Sequence, residues 1–265
     1  MHTQLRTRST PLCCRIVGSP VETDRTIAAA FFDLDKTIIS RSSTLAFGPS
    51  FYKHGLISRG DAIRTAFAQL VFRAAGADQN RMERVRGQVG DLCRGWSADR
   101  VSEIVRRHLD ETILPLVYTE ARRLIAAHGN AGQDVIIVSS SGMEMVGPIG
   151  DRLGASEVIA TRMEVADGCY TGAMEFWAYG EAKAHRVREL AAGRGYRLRD
   201  CYAYSDSVTD LPMLETVGHP RAVNPDRALR KVARERQWPI LAFGATSPAA
   251  PHDRAPTLPA GAAIR

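Results

Sequence analysis

The chain has 265 residues, 45% hydrophobic and 24% charged, which suits one large or two modest globular domains and excludes fibrous and wholly disordered classes. Its net charge of +6 comes from 35 basic and 29 acidic residues that are scattered along the chain; this argues against a nucleic-acid groove and favours a small anionic partner. No stretch reaches the ~20 apolar residues of a membrane-crossing helix, and five cysteines without a C-x-x-C pair fit a reducing cytoplasm rather than a disulfide framework or a zinc ribbon.

Residues 1–26 predict a flexible N-terminal tail, in which Arg15 interrupts the apolar patch that a signal peptide would need. "IAAAFF" at 27–32 predicts a buried first strand, which runs into Asp33 and Asp35. About 100 residues then pass before "DVIIVS" at 134–139, far more than the dozen that one crossover helix requires. Within that interval Ala62, Ile63, Ala66, Phe67, Leu70 and Val71 form a helical stripe over 61–73, and further helical patterns cover 98–110 and 115–128. The expectation is an all-helical cap domain at 45–114, inserted after the first strand.

Further apolar runs at 157–161, 201–205 and 238–243 predict strands. Residues 181–195 predict a helix with Val187, Leu190 and Ala191 on one face and Gly193 to end it. Strands alternating with helices imply a doubly wound, parallel, Rossmann-like α/β sheet built from 27–44 and 115–243. The Pro/Ala-rich segment 244–265 predicts a disordered tail.

In such a sheet, ligands bind beyond the carboxyl ends of the strands. Asp33 and Asp35 stand two residues apart, so on an extended segment both face one crevice. Two anions there repel unless a cation lies between them or one takes a proton; a D-x-D pair can also simply open a turn. An EF-hand loop is excluded because Thr37 and Ile38 occupy its third-ligand and glycine positions. Ser139, with Ser140, Ser141 and Gly142 behind it, offers either a phosphate cradle or a helix cap. Ile137 rules out a G-x-S-x-G nucleophile elbow. Lys183 is one of four lysines in a chain with 31 arginines, and reads as a compact point charge or as a solvated helix start. Asp206 and Asp210 lie one helical turn apart after the 201–205 run, where they complete a hard-cation site with Asp33 or belong to a surface loop.

"DLDKT", the serine of "VIIVS", the lysine of "GEAK" and "SDSVTD" follow one another in order. On these four motifs, residues 27–243 resemble the haloacid dehalogenase superfamily. Within it the chain is similar to subfamily IB, the phosphoserine-phosphatase-like hydrolases, because the insertion is helical and follows the first motif, and because "SDSVTDLPML" precedes "AVNPD". The resemblance implies a Mg²⁺-dependent phosphomonoester hydrolase working through an aspartyl-phosphate. It implies Asp33 as nucleophile and Asp35 as general acid and base, with the Asp35 pKa raised by burial and neighbouring anions. Mg²⁺ would sit on the Asp33 and Asp206 carboxylates and the Asp35 main-chain carbonyl. Ser139, Ser140 and Lys183 would bind phosphate, with Thr37 and Asp210 in support. The acidic residue that reads the amine of phosphoserine in that branch has no counterpart here, Ser42 or Ser43 standing in its place. The expected substrate is a small phosphorylated metabolite, and the missing acid counts against phosphoserine. Arg41 suggests a lipid or lysophospholipid phosphate as the alternative, and a non-catalytic phosphate or nucleic-acid binding protein is the alternative of a different class. Hydrolysis and transfer to another acceptor share these motifs, and oligomeric state has no signature in the sequence.

Overall fold

The computed structural model describes residues 28–58 and 79–244. The expected tails, apart from Gly244, and the helical stripe at 61–73 lie outside the described residues. Strand β1 (Ala29–Asp33) is buried along its whole length. Alternation sends Ala29 and Phe31 into one apolar cluster with Ile136, Val138 and Ala203, and Ala30 and Phe32 into another with Ile137 and Tyr204. A strand covered on both faces needs apolar residues at every position, which is why it reads as an unbroken run.

Parallel to β1 lie β2 (Asp134–Gly142) on one side, with Ile137 opposite Phe32, and β5 (Tyr202–Ser205) on the other, with Tyr204 opposite Phe32. With β3 (Glu157–Ala166), β4 (Cys169–Phe176), β6 (His219–Val223) and β7 (Ile240–Leu241), the sheet order is β4-β3-β2-β1-β5-β6-β7. The chain winds outward from β1 through β2 and β3, then returns to place β5, β6 and β7 on the opposite side. The switch in winding falls between β1 and β5, the place where open α/β sheets bind ligands beyond the carboxyl ends of their strands.

Two sequence expectations need correction here. β4 is antiparallel to β3 at the sheet edge, and the run at 157–161 is only the first half of β3. Beyond it Arg162 and Glu164 are exposed while Met163 is buried, the period-two pattern of a half-covered strand rather than a continuous apolar run.

Helices α1 (Ser43–Lys53), α2 (Gln79–Cys93) and α3 (Ala98–Thr112) lie between β1 and β2, followed by α4 (Thr119–Asn130). In α3 the Ser97 side chain caps the first turn by accepting from the Arg100 N–H, and Val101, Ile104, Val105 and Leu109 form the buried face. That face joins Phe47 and Phe51 of α1 in the same apolar cluster as Phe32 and Ile137. The entry and exit of the inserted segment are tied together, Ser40 N–H donating to the Leu116 carbonyl and Tyr118 N–H to the Ile38 carbonyl, both at 2.9 Å.

The remaining helices are α5 (Met143–Leu153), α6 (Glu181–Arg194), α7 (Leu211–Thr216) and α8 (Arg227–Glu235). α6 ends at Gly195 and not at Gly193. Gly195 takes the left-handed conformation, with φ of 72°, and a left-handed residue is what closes the last turn. Among the described residues no helix is long and apolar enough to cross a membrane.

Candidate active site

β1 delivers Asp33 to the carboxyl end of the sheet, and the chain then turns sharply. The Leu34 carbonyl accepts from the N–H groups of Thr37 (3.3 Å), Ile38 (2.9 Å) and Ile39 (3.1 Å), while Lys36 adopts a φ of 65°. Asp35 therefore lies past the end of the strand, and the loop, not strand alternation, sets its direction.

Asp33 is buried. Its Oδ1 accepts from Lys183 Nζ at 2.7 Å and its Oδ2 from the Thr37 hydroxyl at 3.3 Å. Lys183, in the first turn of α6, also reaches Asp210 Oδ1 at 2.9 Å and Oδ2 at 3.0 Å. Asp210 Oδ2 accepts in addition from the Ser205 hydroxyl at 2.7 Å. One buried ammonium thus ties the ends of β1 and β5 to α6. Asp206, just past β5, is buried as well, and its Oδ2 lies 3.8 Å from Nζ of the half-exposed Lys36. The loop carrying it is held by Asp226, whose carboxylate accepts from the N–H groups of Val208 (3.0 Å) and Leu229 (2.7 Å) and whose own N–H donates to the Asp206 carbonyl at 2.8 Å.

Removing these carboxylates from water disfavours their charged forms. Burial pushes Asp33 up from the ordinary aspartate range; Lys183 opposes this, and the charges of Asp210 and Asp206 add to it. Asp206 is pushed up to about 7, mainly by burial, with Lys36 opposing and Asp210 and Asp226 adding. Burial alone would lower Lys183, but Asp210 and Asp33 outweigh it and keep the ammonium charged. The site carries more negative than positive charge, and an additional cation would relieve it. Among the described residues no cluster of three or more His, Cys, Asp or Glu side chains forms a ready-made metal cage. An ion held by the Asp33 and Asp206 carboxylates would need carbonyl, water or ligand oxygens for its remaining positions, a set that suits a hard, partly hydrated cation.

Asp35 belongs to a neighbouring network. Its Oδ1 accepts from the Ser43 N–H at 2.8 Å, at the start of α1, and its Oδ2 from the Ser141 hydroxyl at 3.0 Å. The Ser43 hydroxyl donates in turn to Ser141 Oγ at 2.9 Å. Burial raises the Asp35 pKa, while these hydrogen bonds and the Lys183 charge pull against the rise. The groups touching Asp35 are donors, where neighbouring anions were expected.

Residues 30–215 match the haloacid dehalogenase-like hydrolase family. The chain belongs to this family. It is 60% identical over 216 residues to a Streptomyces azureus protein named for inhibition of morphological differentiation, covering 81% of this chain and 78% of that one. It is 52% identical over 240 residues to a probable phosphatase of Mycobacterium tuberculosis, covering 91% and 83%. Among solved structures it shares its fold with a phospho-aspartyl intermediate analogue of phosphoserine phosphatase, at a TM-score of 0.61 and 20% identity over 82% of this chain and 94% of that one.

Within this hydrolase, direct hydrogen bonds connect Asp33, Thr37, Lys183 and Asp210, and Asp206 acts on Asp33 through its charge. Ser139 is buried at the end of β2, its hydroxyl accepting from the Ser141 N–H at 3.2 Å. Ser140 stands apart from these bonds: it is exposed, and its carbonyl accepts from the Thr161 hydroxyl at 2.8 Å. Ser43 and Ser141, the partners of Asp35, enter the sequence reading only as a neutral residue in place of an acid and as part of a serine-rich run, not as contacts of Asp35. A signal for Ser141 did exist, since it follows Ser139 by two residues and strand alternation puts the two on one face.

Proposed function

We propose that this hydrolase is a phosphoserine-phosphatase-like phosphatase that uses Mg²⁺ and an aspartyl-phosphate to hydrolyse a small phosphorylated metabolite. The observation that carries this reading is the buried Asp33 carboxylate at the topological switch point, bonded to the buried Lys183 ammonium. A carboxylate so placed is a nucleophile with a fixed cation beside it for a phosphoryl oxygen.

In this reading an Asp33 oxygen attacks phosphorus and the bond to the ester oxygen breaks, with Asp35 giving its proton to the departing alkoxide. Water then attacks the aspartyl-phosphate, Asp35 takes the water's proton, and Asp33 is regenerated as inorganic phosphate forms. Lys183 and Ser139 face the charge on the transferring group, the exposed Ser140 of β2 being left outside this set, Thr37 braces Asp33, and Asp210 holds Lys183 in place. The Asp33 and Asp206 carboxylates and the Asp35 main-chain carbonyl would hold Mg²⁺. When bound, that ion supplies the positive charge that offsets repulsion between Asp33 and a phosphate dianion.

The helices of 45–114 are proposed as a cap over a core formed by 27–44 and 115–243, with the tied crossing of 38–40 and 116–118 as the boundary. Ser42, in place of an acidic residue, offers no charge for an amine, so the substrate is proposed to be a metabolite other than phosphoserine. Free Cys93, Cys169 and Cys201 suit the reducing cytoplasm proposed for it.

Phosphate release from a panel of sugar, amino-acid and aryl phosphates tests the proposal. Turnover should require Mg²⁺, stop with EDTA and return when Mg²⁺ is restored. Asp33→Asn should lower kcat by at least about 10³-fold while the thermal midpoint stays close to that of the parent. EDTA-resistant turnover, or an Asp33→Asn enzyme with more than a few per cent of parental activity, would refute the scheme.

A further inference from the structure

We propose that Ser141 and Ser43 are positioning residues that make Oδ2 of Asp35 the oxygen through which its proton is transferred. This rests on the phosphatase reading and concerns a part of the site that the acid–base assignment leaves open. The two oxygens of Asp35 face different kinds of partner. Oδ1 faces the Ser43 backbone N–H at 2.8 Å, a group that can only donate. Oδ1 is thereby kept as an acceptor in both protonation states, and the proton is left to Oδ2.

Oδ2 faces the Ser141 hydroxyl at 3.0 Å, and a hydroxyl can donate or accept. While Asp35 is ionised, Ser141 donates to Oδ2 and the Ser43 hydroxyl donates to Ser141 at 2.9 Å. Once Oδ2 carries a proton, Ser141 either remains on its other lone pair or rotates to accept. These two contacts hold the carboxyl plane between β2 and α1. Ser43 and Ser141 are buried, so a hydroxyl removed from this chain cannot simply be replaced by bulk water. Ser141 extends from the end of β2 and Ser43 from the first turn of α1, so the orientation of the acid depends jointly on the sheet and on the inserted helices.

The test compares kcat/KM for an alkyl ester, glycerol phosphate, with that for p-nitrophenyl phosphate. The alkyl alkoxide needs a proton as it leaves; the nitrophenolate scarcely does. Ser141→Ala should lower kcat/KM for the alkyl ester by about 10- to 100-fold, and for the aryl ester by less than about 3-fold. Ser141→Thr, which restores a hydroxyl, should return the alkyl value to within about 3-fold of the parent. Ser43→Ala should show the same split with a smaller loss, because the backbone N–H to Oδ1 survives.

Equal losses on both esters would mean that the serines act through packing and would overturn the proposal, as would no loss on either. Should Ser141→Ala fail to fold, Ser141→Cys keeps the volume while weakening the hydrogen bond and is held to the same split. A parent enzyme that hydrolyses both esters alongside variants with no split removes this inference alone. A parent that hydrolyses neither these two esters nor any other ester of the panel removes the phosphatase reading with it.

Discussion

Lys183 is held by charge more than by any apolar contact: its ammonium touches Asp33 at 2.7 Å and Asp210 at 2.9 Å, and both acids are buried. Taking one partner out of such a set leaves the other charges without water or counter-ion. Lys183→Met should therefore remove turnover and also destabilise the protein by about 3 kcal/mol, whereas Asp33→Asn keeps the Lys183–Asp210 pair and should cost little stability. Urea denaturation of the two variants separates these effects, and a Lys183→Met protein as stable as Asp33→Asn would contradict the charge balance described for the site. At this scale much was legible in the sequence, because Asp33, Lys183 and Asp210 are types that seldom stay buried without a partner and each follows or precedes an apolar run. The setting of Asp35 was not legible. Its donors come from Ser43 and Ser141, 8 and 106 residues away, and a serine carries no burial signal of its own.

Between elements, a restrictive contact is that of α2 with β4. A Cβ on Gly90 would lie 2.1 Å from the Gly172 carbonyl oxygen, and Gly172 itself has φ of 89°. Just beyond α2, the Gly95 N–H donates to the Tyr170 carbonyl at 2.8 Å and the Tyr170 N–H to the Trp96 carbonyl at 2.9 Å. The inserted segment is thus stitched along β4, which would otherwise be a bare sheet edge. Gly90→Ala forces backbone apart from backbone and should cost about 1–3 kcal/mol. Gly87, on the same helix, has open space around its Cβ position, so Gly87→Ala should stabilise by about 0.5–1 kcal/mol through the entropy of the unfolded chain. Opposite signs for the two substitutions in urea denaturation are expected; like signs would show that α2 does not dock as described. β4 escaped the sequence reading because "CYTGAMEF" carries a glycine and alternates between partly covered and exposed positions, whereas the doubly buried β1 and β2 announced themselves as apolar runs.

Over the whole molecule, a doubly wound and mainly parallel sheet followed from apolar runs alternating with helical patterns, whereas the order of its strands and the antiparallel β4 did not. What periodicity could not show is how the two halves are joined beneath the site. His128, on α4, is buried there among aromatic rings, with centroids 5.9 Å from Phe32 and 4.8 Å from Tyr202. Its Nδ1 pairs with Gln133 Oε1 and its Nε2 lies 2.8 Å from the Tyr204 hydroxyl. With Gln133 accepting at Nδ1, the neutral ring carries its hydrogen there and accepts from Tyr204 at Nε2. Burial lowers the His128 pKa from the ordinary 6.5, with Gln133 opposing and Arg221 adding to the fall. The unfolded chain takes up a proton near 6.5 that the folded chain refuses, so acidification below that value favours unfolding until the lowered pKa is reached; above about pH 7 the group has no effect on stability. Asp206 acts in the opposite sense, since its raised pKa favours the folded state as pH falls from about 7, and the raised Asp33 and Asp35 act in that same sense, so a pH profile of the parent alone would mix these contributions. The difference in unfolding free energy between parent and His128→Gln cancels the contributions of these aspartates. That difference should shrink as pH falls from about 7 to 5.5, and a constant difference across this range would mean that His128 is not kept neutral by its surroundings.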